Sequence, residues 1–112
     1  NQCQAGLAIN LQTPIEAVFP YLAELNLVVV MSIVPGWAGQ PFDHGTPARI
    51  KVLADEIKRR GLKTKIEVDG GINQQTGRDC FEAGANILVA ASYLTNAKDL
   101  AAALQSLKFS SK

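Results

Sequence analysis

The stretch Leu-Val-Val-Val-Met-Ser-Ile at residues 27–33 decides the fold class of this chain. It is a nearly continuous apolar run rich in β-branched residues, which is typical of a strand buried on both faces, as in a parallel sheet. Three more strand-like segments lie at residues 6–10, 65–69 and 86–90. The sequence therefore predicts four strands of a parallel sheet.

A helix is predicted after each of these strands. The first two helices begin with the same pair, Thr13-Pro14 and Thr46-Pro47, in which threonine is the N-cap and proline takes the first helical position. Pro20 is expected to end or kink the first helix early. The apolar residues at helical spacing are Ile15, Val18, Phe19 and Leu22 in the first helix, and Ile50, Leu53 and Ile57 in the second.

The remaining helix boundaries follow from glycine and asparagine positions. We expect the second helix to end at Gly61 and the third to run from an Asn73 cap to Gly84. Either Asn96 or Thr95 is expected to cap the last helix. The third helix has Cys80, Phe81 and Ala85 at inward positions, and the last helix carries Leu100, Leu104 and Leu107.

Four successive strand-helix units require an α/β fold with a parallel sheet and helices outside it. They fit either an open doubly wound sheet or half of an eight-stranded barrel. Because no linker or change of composition divides residues 1–112, we expect a single module. A strand-like segment begins within a few residues of Asn1, which leads us to expect that this module is a fragment of a longer chain.

The composition argues against several classes of function. Eleven basic and ten acidic residues leave a formal net charge of +1, whereas nucleic acids and anionic membranes need a concentrated positive field. The longest apolar run, residues 25–34, is interrupted by Asn26 and Ser32 and is too short to cross a bilayer. With no visible signal peptide, the expectation is a cytoplasmic protein that binds neither nucleic acid nor membrane.

Two cysteines and one histidine give little support for a disulfide or a structural zinc site. Cys3 and Cys80 lie far apart without a CxxC spacing, so reduced, partly buried thiols are preferred to a disulfide. His44 has no paired metal ligand nearby in sequence and stands in a polar loop, where histidine is ordinarily exposed.

Ligands of parallel α/β proteins meet the C-terminal ends of the strands and the loops that follow. In the third strand, alternation puts Glu67 and Asp69 on one face and Ile66 and Val68 on the other. If the two apolar residues pack against helices, Asp69 points into the mouth of a barrel, where a carboxylate can take or give a proton. An aspartate that only caps the following turn fits the same position equally well.

The loops after the last three strands have features of a phosphosugar site. Gly70-Gly71 and Ala91-Ser92 follow the last two strands, where barrels commonly bind phosphate through backbone N–H groups. Two tight turns are the simpler interpretation of each pair, and their occurrence in consecutive units favours the phosphate site weakly. The tryptophan-bearing loop at residues 35–40 is longer than a connection requires, so it is either a lid or a hydrophobic plug.

Four motifs, in order, resemble those of ribulose-phosphate 3-epimerases. Val-Met-Ser-Ile-Val-Pro-Gly-Trp-Ala-Gly-Gln-Pro-Phe at residues 30–42 resembles the sixth-strand motif of that family, and Ile-Glu-Val-Asp-Gly-Gly-Ile at 66–72 resembles the seventh. Residues 82–92 look like the eighth strand and residues 6–14 like the fifth. The resemblance implies the C-terminal half, units five to eight, of a ribulose-phosphate-binding (β/α)₈ barrel.

The resemblance also implies an activity for the full-length parent. Enzymes of this family interconvert D-ribulose 5-phosphate and D-xylulose 5-phosphate at C3, in the pentose phosphate pathway, with two Asp residues as base and acid. A divalent metal (zinc, iron, cobalt or manganese) stabilises the enediolate. Asp69 matches the second Asp, which is both catalytic and a metal ligand. The substrate-binding positions are matched by Gly36, Trp37, Ala38 and Gly39 in the covering loop, and by Gly70, Gly71, Ala91 and Ser92 in the phosphate cradle.

Three departures from the family pattern matter. Ala91 stands where the family usually has glycine, and the loop carries Trp37 for phenylalanine and Ala38 for glycine. The units that would carry the other catalytic Asp, both metal-ligand His residues and a phosphate-binding Ser are absent from this sequence, and His44 lies in the wrong loop to replace them. The metal-ligand set is therefore incomplete, and the fragment alone is expected to be inactive.

Two alternatives remain open from the sequence. Another phosphosugar barrel enzyme, such as a hexulose-phosphate epimerase or a decarboxylase-like relative, could share these loops. A non-catalytic half-barrel that self-associates is the other, because four parallel strands leave two open edges and an apolar inner face. A homodimer or larger homo-oligomer is the expectation if the chain is stable by itself.

Overall fold

A computed structural model describes residues 4–33, 42–90, 94 and 97–109. Four parallel strands form a sheet in which the spatial order is the chain order. Their bounds are Gly6–Ile9 for β1, Leu27–Met31 for β2, Lys65–Asp69 for β3 and Ile87–Val89 for β4. The parallel α/β architecture expected from the sequence is therefore confirmed.

Helical segments alternate with the strands in the described residues. A 3₁₀ helix spans Ile15–Glu24, and the α-helices are α1 at Thr46–Arg59, α2 at Gln74–Ala83 and α3 at Leu100–Gln105. The 3₁₀ helix packs against α1, and α1 packs against α2. None of the helices in this part of the chain is long and apolar enough to span a bilayer.

The core lies between the helices and one face of the sheet. Val28 and Val30 of β2 are fully buried, and Ile66 and Val68 of β3 are at most 2% exposed. They join one apolar cluster with helix residues that include Leu22, Ile50, Leu53 and Cys80. The residues predicted to face inward in the first two helices are thus buried in this core, except Phe19, which is only partly buried.

The opposite face of the sheet, called the inner face below, has no helix packed on it in the described residues. Strand register aligns two rows across it, and its members are Ala8, Val29, Glu67 and Ile87 in one row and Met31, Asp69 and Val89 in the next. Ile87 is 40% exposed and Val29 and Met31 are half-buried, in contrast to the fully buried valines beside them. The sheet is therefore covered on one side.

The first helix differs from the prediction in type, start and end. It is a 3₁₀ helix flanked by Pro14, without a side-chain cap, and it continues through Pro20. Thr13 does not cap it, because its hydroxyl donates instead to Oδ1 of Asn10 at 3.1 Å. The three apolar residues Ile15, Val18 and Leu22 are nevertheless buried, as their spacing predicted.

The start of α1 also corrects the prediction. Gly45 is the N-cap, and Thr46 is already helical, with Pro47 in the first turn. Thr46 is fully buried, and its backbone N–H donates to the Asp43 carbonyl at 3.0 Å. The threonine therefore serves as a core residue rather than as a cap. At the other end, Gly61 ends the helix at a φ of +67°, as expected.

The later boundaries are partly as predicted. Asn73 caps α2, since its side chain accepts from the Thr76 N–H while the Thr76 hydroxyl accepts from the Asn73 N–H. Gly84 ends that helix at a φ of +124°. The cap of α3 is Asp99, whose Oδ1 accepts from Ala102 N–H at 3.1 Å, rather than Asn96 or Thr95. Those two residues lie outside the described part of the chain.

Cys80 is a free, fully buried thiol. Burial, aided by the charge of Asp79, raises the pKa of Cys80 from its ordinary value of 9.0 to about 12. Because the pKa is higher in the folded than in the unfolded chain, this thiol contributes its full stability below pH 9. We expect that contribution to be lost as the pH rises from 9 towards 12, in an alkaline urea-unfolding series.

The same burial predicts that the Cys80 thiol does not react with thiol reagents in the native protein. In a Cys3→Ser variant, Cys80 should not react with dithionitrobenzoate in the native protein at pH 8, and should react with one equivalent in denaturant, because only the accessible thiolate attacks the reagent. A Cys3→Ser/Cys80→Ser variant supplies the blank. Fast native labelling of Cys80 would contradict its placement in the core.

Candidate active site

Asp69 closes β3 at the C-terminal edge of the sheet. Its neighbour Val68 is fully buried on the helix side, so strand alternation puts the half-buried Asp69 on the inner face. Across the sheet it is in register with Met31 on one side and Val89 on the other. The carboxylate therefore lies where a parallel sheet presents its ligands, on the side that the helices leave uncovered.

A buried serine fixes the end of this strand. Ser32, which directly follows β2, donates its backbone N–H to the Asp69 carbonyl at 2.8 Å. Its hydroxyl faces two acceptors, the carbonyl of Asp69 at 3.0 Å and that of Gly70. Its own carbonyl accepts from the Asp43 N–H at 3.0 Å. Ser32 thus holds the backbone around Asp69 from a fully buried position; in the sequence it stood out only as a polar residue in an apolar run and as a member of the motif at residues 30–42.

The turn after Asp69 strongly favours glycine at both of its positions. Gly70 has a φ of +110° and Gly71 a φ of +70°, a region that other residues rarely adopt. A Cβ on Gly70 would lie 2.7 Å from Ile33, and one on Gly71 would lie 2.8 Å from the Phe42 backbone. The Gly71 carbonyl also accepts from the Thr76 hydroxyl at 2.9 Å, which ties the turn to the first turn of α2.

An arginine secures a second turn at the same edge of the sheet. Arg49 of α1 donates from Nη2 to the carbonyls of Asn10 and Thr13, both at 2.9 Å. Asn10, the residue after β1, in turn accepts from the Gln12 and Thr13 N–H groups through Oδ1. Sequence reasoning did not identify Arg49, because a single arginine on a helix ordinarily extends into solvent.

The described residues do not form a metal site by themselves. They bring together no group of three or more His, Cys, Asp or Glu side chains. Asp69 can supply one hard carboxylate ligand, whereas a catalytic metal needs about three protein ligands. His44 is exposed and packs edge-on against Phe42, with ring centroids 5.4 Å apart. No reaction step through a metal follows from these residues.

Several predicted site residues lie outside the part of the chain that the structure describes. They are Gly36, Trp37, Ala38 and Gly39 of the proposed lid, and Ala91 and Ser92 of the proposed phosphate cradle. Of the predicted set, Asp69, Gly70 and Gly71 are described, and they are consecutive at one edge of the sheet. The residues that the structure adds to this site are Ser32 and Arg49.

A parallel four-stranded sheet with helices on one side, and with its polar residues and glycine turn at the C-terminal edge, defines an α/β unit of the barrel-forming class. Comparison with known proteins specifies the family. The family model described as "Ribulose-phosphate 3 epimerase family" matches residues 1–95. This chain belongs to the ribulose-phosphate 3-epimerase family.

Individual relatives that match most of this chain are also named as ribulose-phosphate epimerases. A ribulose-phosphate 3-epimerase of Chlamydia pneumoniae is 48% identical over 100 residues, which are 88% of this chain and 44% of that protein. The chloroplastic ribulose-5-phosphate-3-epimerase of Arabidopsis thaliana is 38% identical over 109 residues, 97% of this chain and 39% of that protein. A Bacillus subtilis ribulose-phosphate 3-epimerase is 37% identical over 108 residues, 94% of this chain and 49% of that protein. The chain thus spans about half, or less, of the length of these relatives.

Proposed function

We propose that residues 1–112 form the C-terminal half of a (β/α)₈ barrel enzyme that epimerises C3 of D-ribulose 5-phosphate to give D-xylulose 5-phosphate. The position of Asp69 carries this proposal, because the carboxylate stands at the C-terminal edge of the sheet on the face away from the helices. Family membership supports the phosphosugar substrate, with the relatives named for ribulose phosphate. The role in the pentose phosphate pathway and a cytoplasmic location are parts of the same proposal.

In this proposal Asp69 transfers a proton at one face of the substrate. Epimerisation removes the C3 proton from one face and returns a proton to the other, so the reaction needs a carboxylate on each side of the carbon. Ser32 contributes by holding the Asp69 backbone in place, since a general acid or base must keep within hydrogen-bond reach of the reacting atom. Gly70 and Gly71, and outside the described residues Ala91 and Ser92, would bind the phosphate through backbone N–H groups.

The same geometry argues that the isolated chain is inactive. The other acidic residue of the inner face, Glu67, is on the same strand two positions before Asp69, so both carboxylates approach a substrate from one side. The described residues offer no carboxylate for the opposite face and no further ligand group for a zinc, iron, cobalt or manganese ion, so in this proposal both come from the rest of the parent enzyme. We propose Asp69 as its one ligand to that divalent metal, which supplies electrophilic stabilisation of the enediolate when it is bound.

A chimaera tests the proposed function. In the Chlamydia pneumoniae relative, the matched segment, 44% of that protein, is replaced by this chain, and the rest of the relative is kept. We expect the chimaera to convert D-ribulose 5-phosphate to D-xylulose 5-phosphate in a coupled assay, and the chain alone to show no turnover. A folded chimaera that is inactive on this pentulose phosphate, or active only on a hexulose phosphate in a substrate panel, would overturn the assignment.

A further inference from the structure

Two arginines of α1 make similar contacts at opposite ends of the sheet. Because α1 returns from the end of β2 to the start of β3, its first turn lies at the C-terminal edge of the sheet and its last turn at the other edge. Arg49, in the first turn, donates to the carbonyls of Asn10 and Thr13, both at 2.9 Å. Arg60, which follows the last turn, donates to the Phe19 carbonyl at 2.8 Å. The chain therefore has one such contact at the edge of the proposed active site and another away from it.

The Arg49 guanidinium is placed inside the protein at an energetic cost. The residue is half-buried, and its Nη1 is buried without an acceptor among the residues that the structure describes. A buried donor without a partner loses its hydrogen bonds to water, and this loss offsets much of the gain from the two bonds of Nη2. A role in stability alone is therefore an incomplete explanation of this arginine.

The turn that this arginine holds lies in line with the proposed catalytic carboxylate. The pairing of β1 with β2 ends at Ile9 and Val30. The next residue after β1, Asn10, therefore comes beside Met31, which is in register with Asp69. Neighbouring strands are about 4.8 Å apart, so the backbones of residues 10 and 69 are about 10 Å apart along this edge. In barrel enzymes, the loops at this edge build the binding site.

We propose that Arg49 is a positioning residue for the substrate: it fixes the turn at residues 10–13, and through this turn the shape of the site beside Asp69. This role rests on the proposed epimerase function, and Arg49 fulfils it without touching the reacting carbon. Asn10 holds the same turn from within, because its Oδ1 accepts from two backbone N–H groups of the turn at 2.9 and 3.1 Å. Loss of either side chain should weaken substrate binding and leave the proton transfer unchanged.

Steady-state kinetics of the chimaera test this role. Arg49→Met keeps an unbranched apolar stem and removes the donors, so KM for D-ribulose 5-phosphate should rise about tenfold, with kcat changed by less than about twofold. Arg49→Lys should keep KM within about threefold, because both bonds come from one nitrogen and an ammonium group can likewise donate to two carbonyls. Arg60→Met is the matched control. It removes a bond from α1 to a backbone carbonyl at the opposite edge and should leave both constants unchanged.

Asn10→Ala reaches the same turn without disturbing the buried guanidinium, because Asn10 is exposed. This variant should also raise KM, and it decides the question if Arg49→Met does not fold. The double variant should raise KM by less than the product of the two single effects, because both changes release one turn.

The outcomes separate positioning from stability. If Arg49→Met lowers the midpoint of urea unfolding but changes KM no more than Arg60→Met does, Arg49 only stabilises the fold and the positioning role is wrong. A fall in kcat at constant KM would also contradict it, since the turn would then act on the chemical step. An unaltered chimaera without epimerase activity rejects the proposed function, and the positioning role with it, so the two failures are distinguishable.

Discussion

Replacing Asp69 with asparagine in the chimaera is expected to lower kcat about a thousandfold, because positioned acid-base catalysis contributes about 10²- to 10⁴-fold and asparagine can neither accept nor return the proton. The side chain is isosteric, and the Ser32 hydrogen bonds go to the backbone of residues 69 and 70, so the turn keeps its geometry. KM should change by no more than about threefold, since the phosphate contacts are separate from the carboxylate.

The matched control for this variant is Asp55→Asn. Asp55 is an exposed residue of α1 whose carboxylate pairs with Lys51 at 3.0 Å, in an ion pair of little energetic weight. The Asp55→Asn variant of the chimaera loses one negative charge, as Asp69→Asn does, and should keep full activity. If Asp69→Asn keeps more than a tenth of the activity, Asp69 is only the residue that ends the strand, and the proposed proton transfer is wrong.

Much of this fold was accessible to prediction because local signals and burial agree. The run at Leu27–Met31 and the segment Lys65–Asp69 have the length and composition of strands in a parallel sheet, and the structure places strands at both. Asn73 and Gly84 have the side chain and the backbone freedom that a helix start and a helix end require. At such positions the tertiary structure agrees with the local preferences of the residues.

The errors at the helix starts have a common physical cause. A threonine before a proline is a good cap in isolation, but each of these two threonines is engaged elsewhere in the structure. Thr13 is bonded to Asn10 in the turn that Arg49 clamps, and Thr46 is buried in the core. The bond to Asn10 is local, whereas the contact with Arg49 and the burial of Thr46 depend on residues distant in sequence and on the assembled layers.

The candidate site likewise contains some residues that the sequence predicts and others that only the tertiary structure identifies. Asp69 and its glycine turn were predictable, since strand alternation and chain order fix both their face and their edge of the sheet. Ser32 was not, because its role depends on a strand 37 residues later in the chain. The residues that hold the site in place are therefore the ones that only tertiary structure reveals.

Gly71→Ala is expected to lower the free energy of unfolding by about 3 kcal/mol, the second large effect predicted for this chain. The left-handed backbone at a φ of +70° costs an alanine about 1–2 kcal/mol. The new Cβ would also lie 2.8 Å from the Phe42 Cα and 2.9 Å from its nitrogen, and forcing an extra methyl group into a packed site typically adds about 1–3 kcal/mol. Backbone atoms cannot rotate away, so both penalties apply.

Gly61→Ala separates the two penalties. Gly61 has nearly the same φ, +67°, but a Cβ there meets nothing within 4 Å, so its alanine variant should lose only about 1 kcal/mol. Urea unfolding of both variants measures the difference, which is the cost of the close approach between Gly71 and Phe42. Equal losses would mean that the turn relaxes away from Phe42. In that case the turn after Asp69 is not held rigidly enough to place backbone N–H groups against a phosphate, and the proposed cradle loses its structural basis.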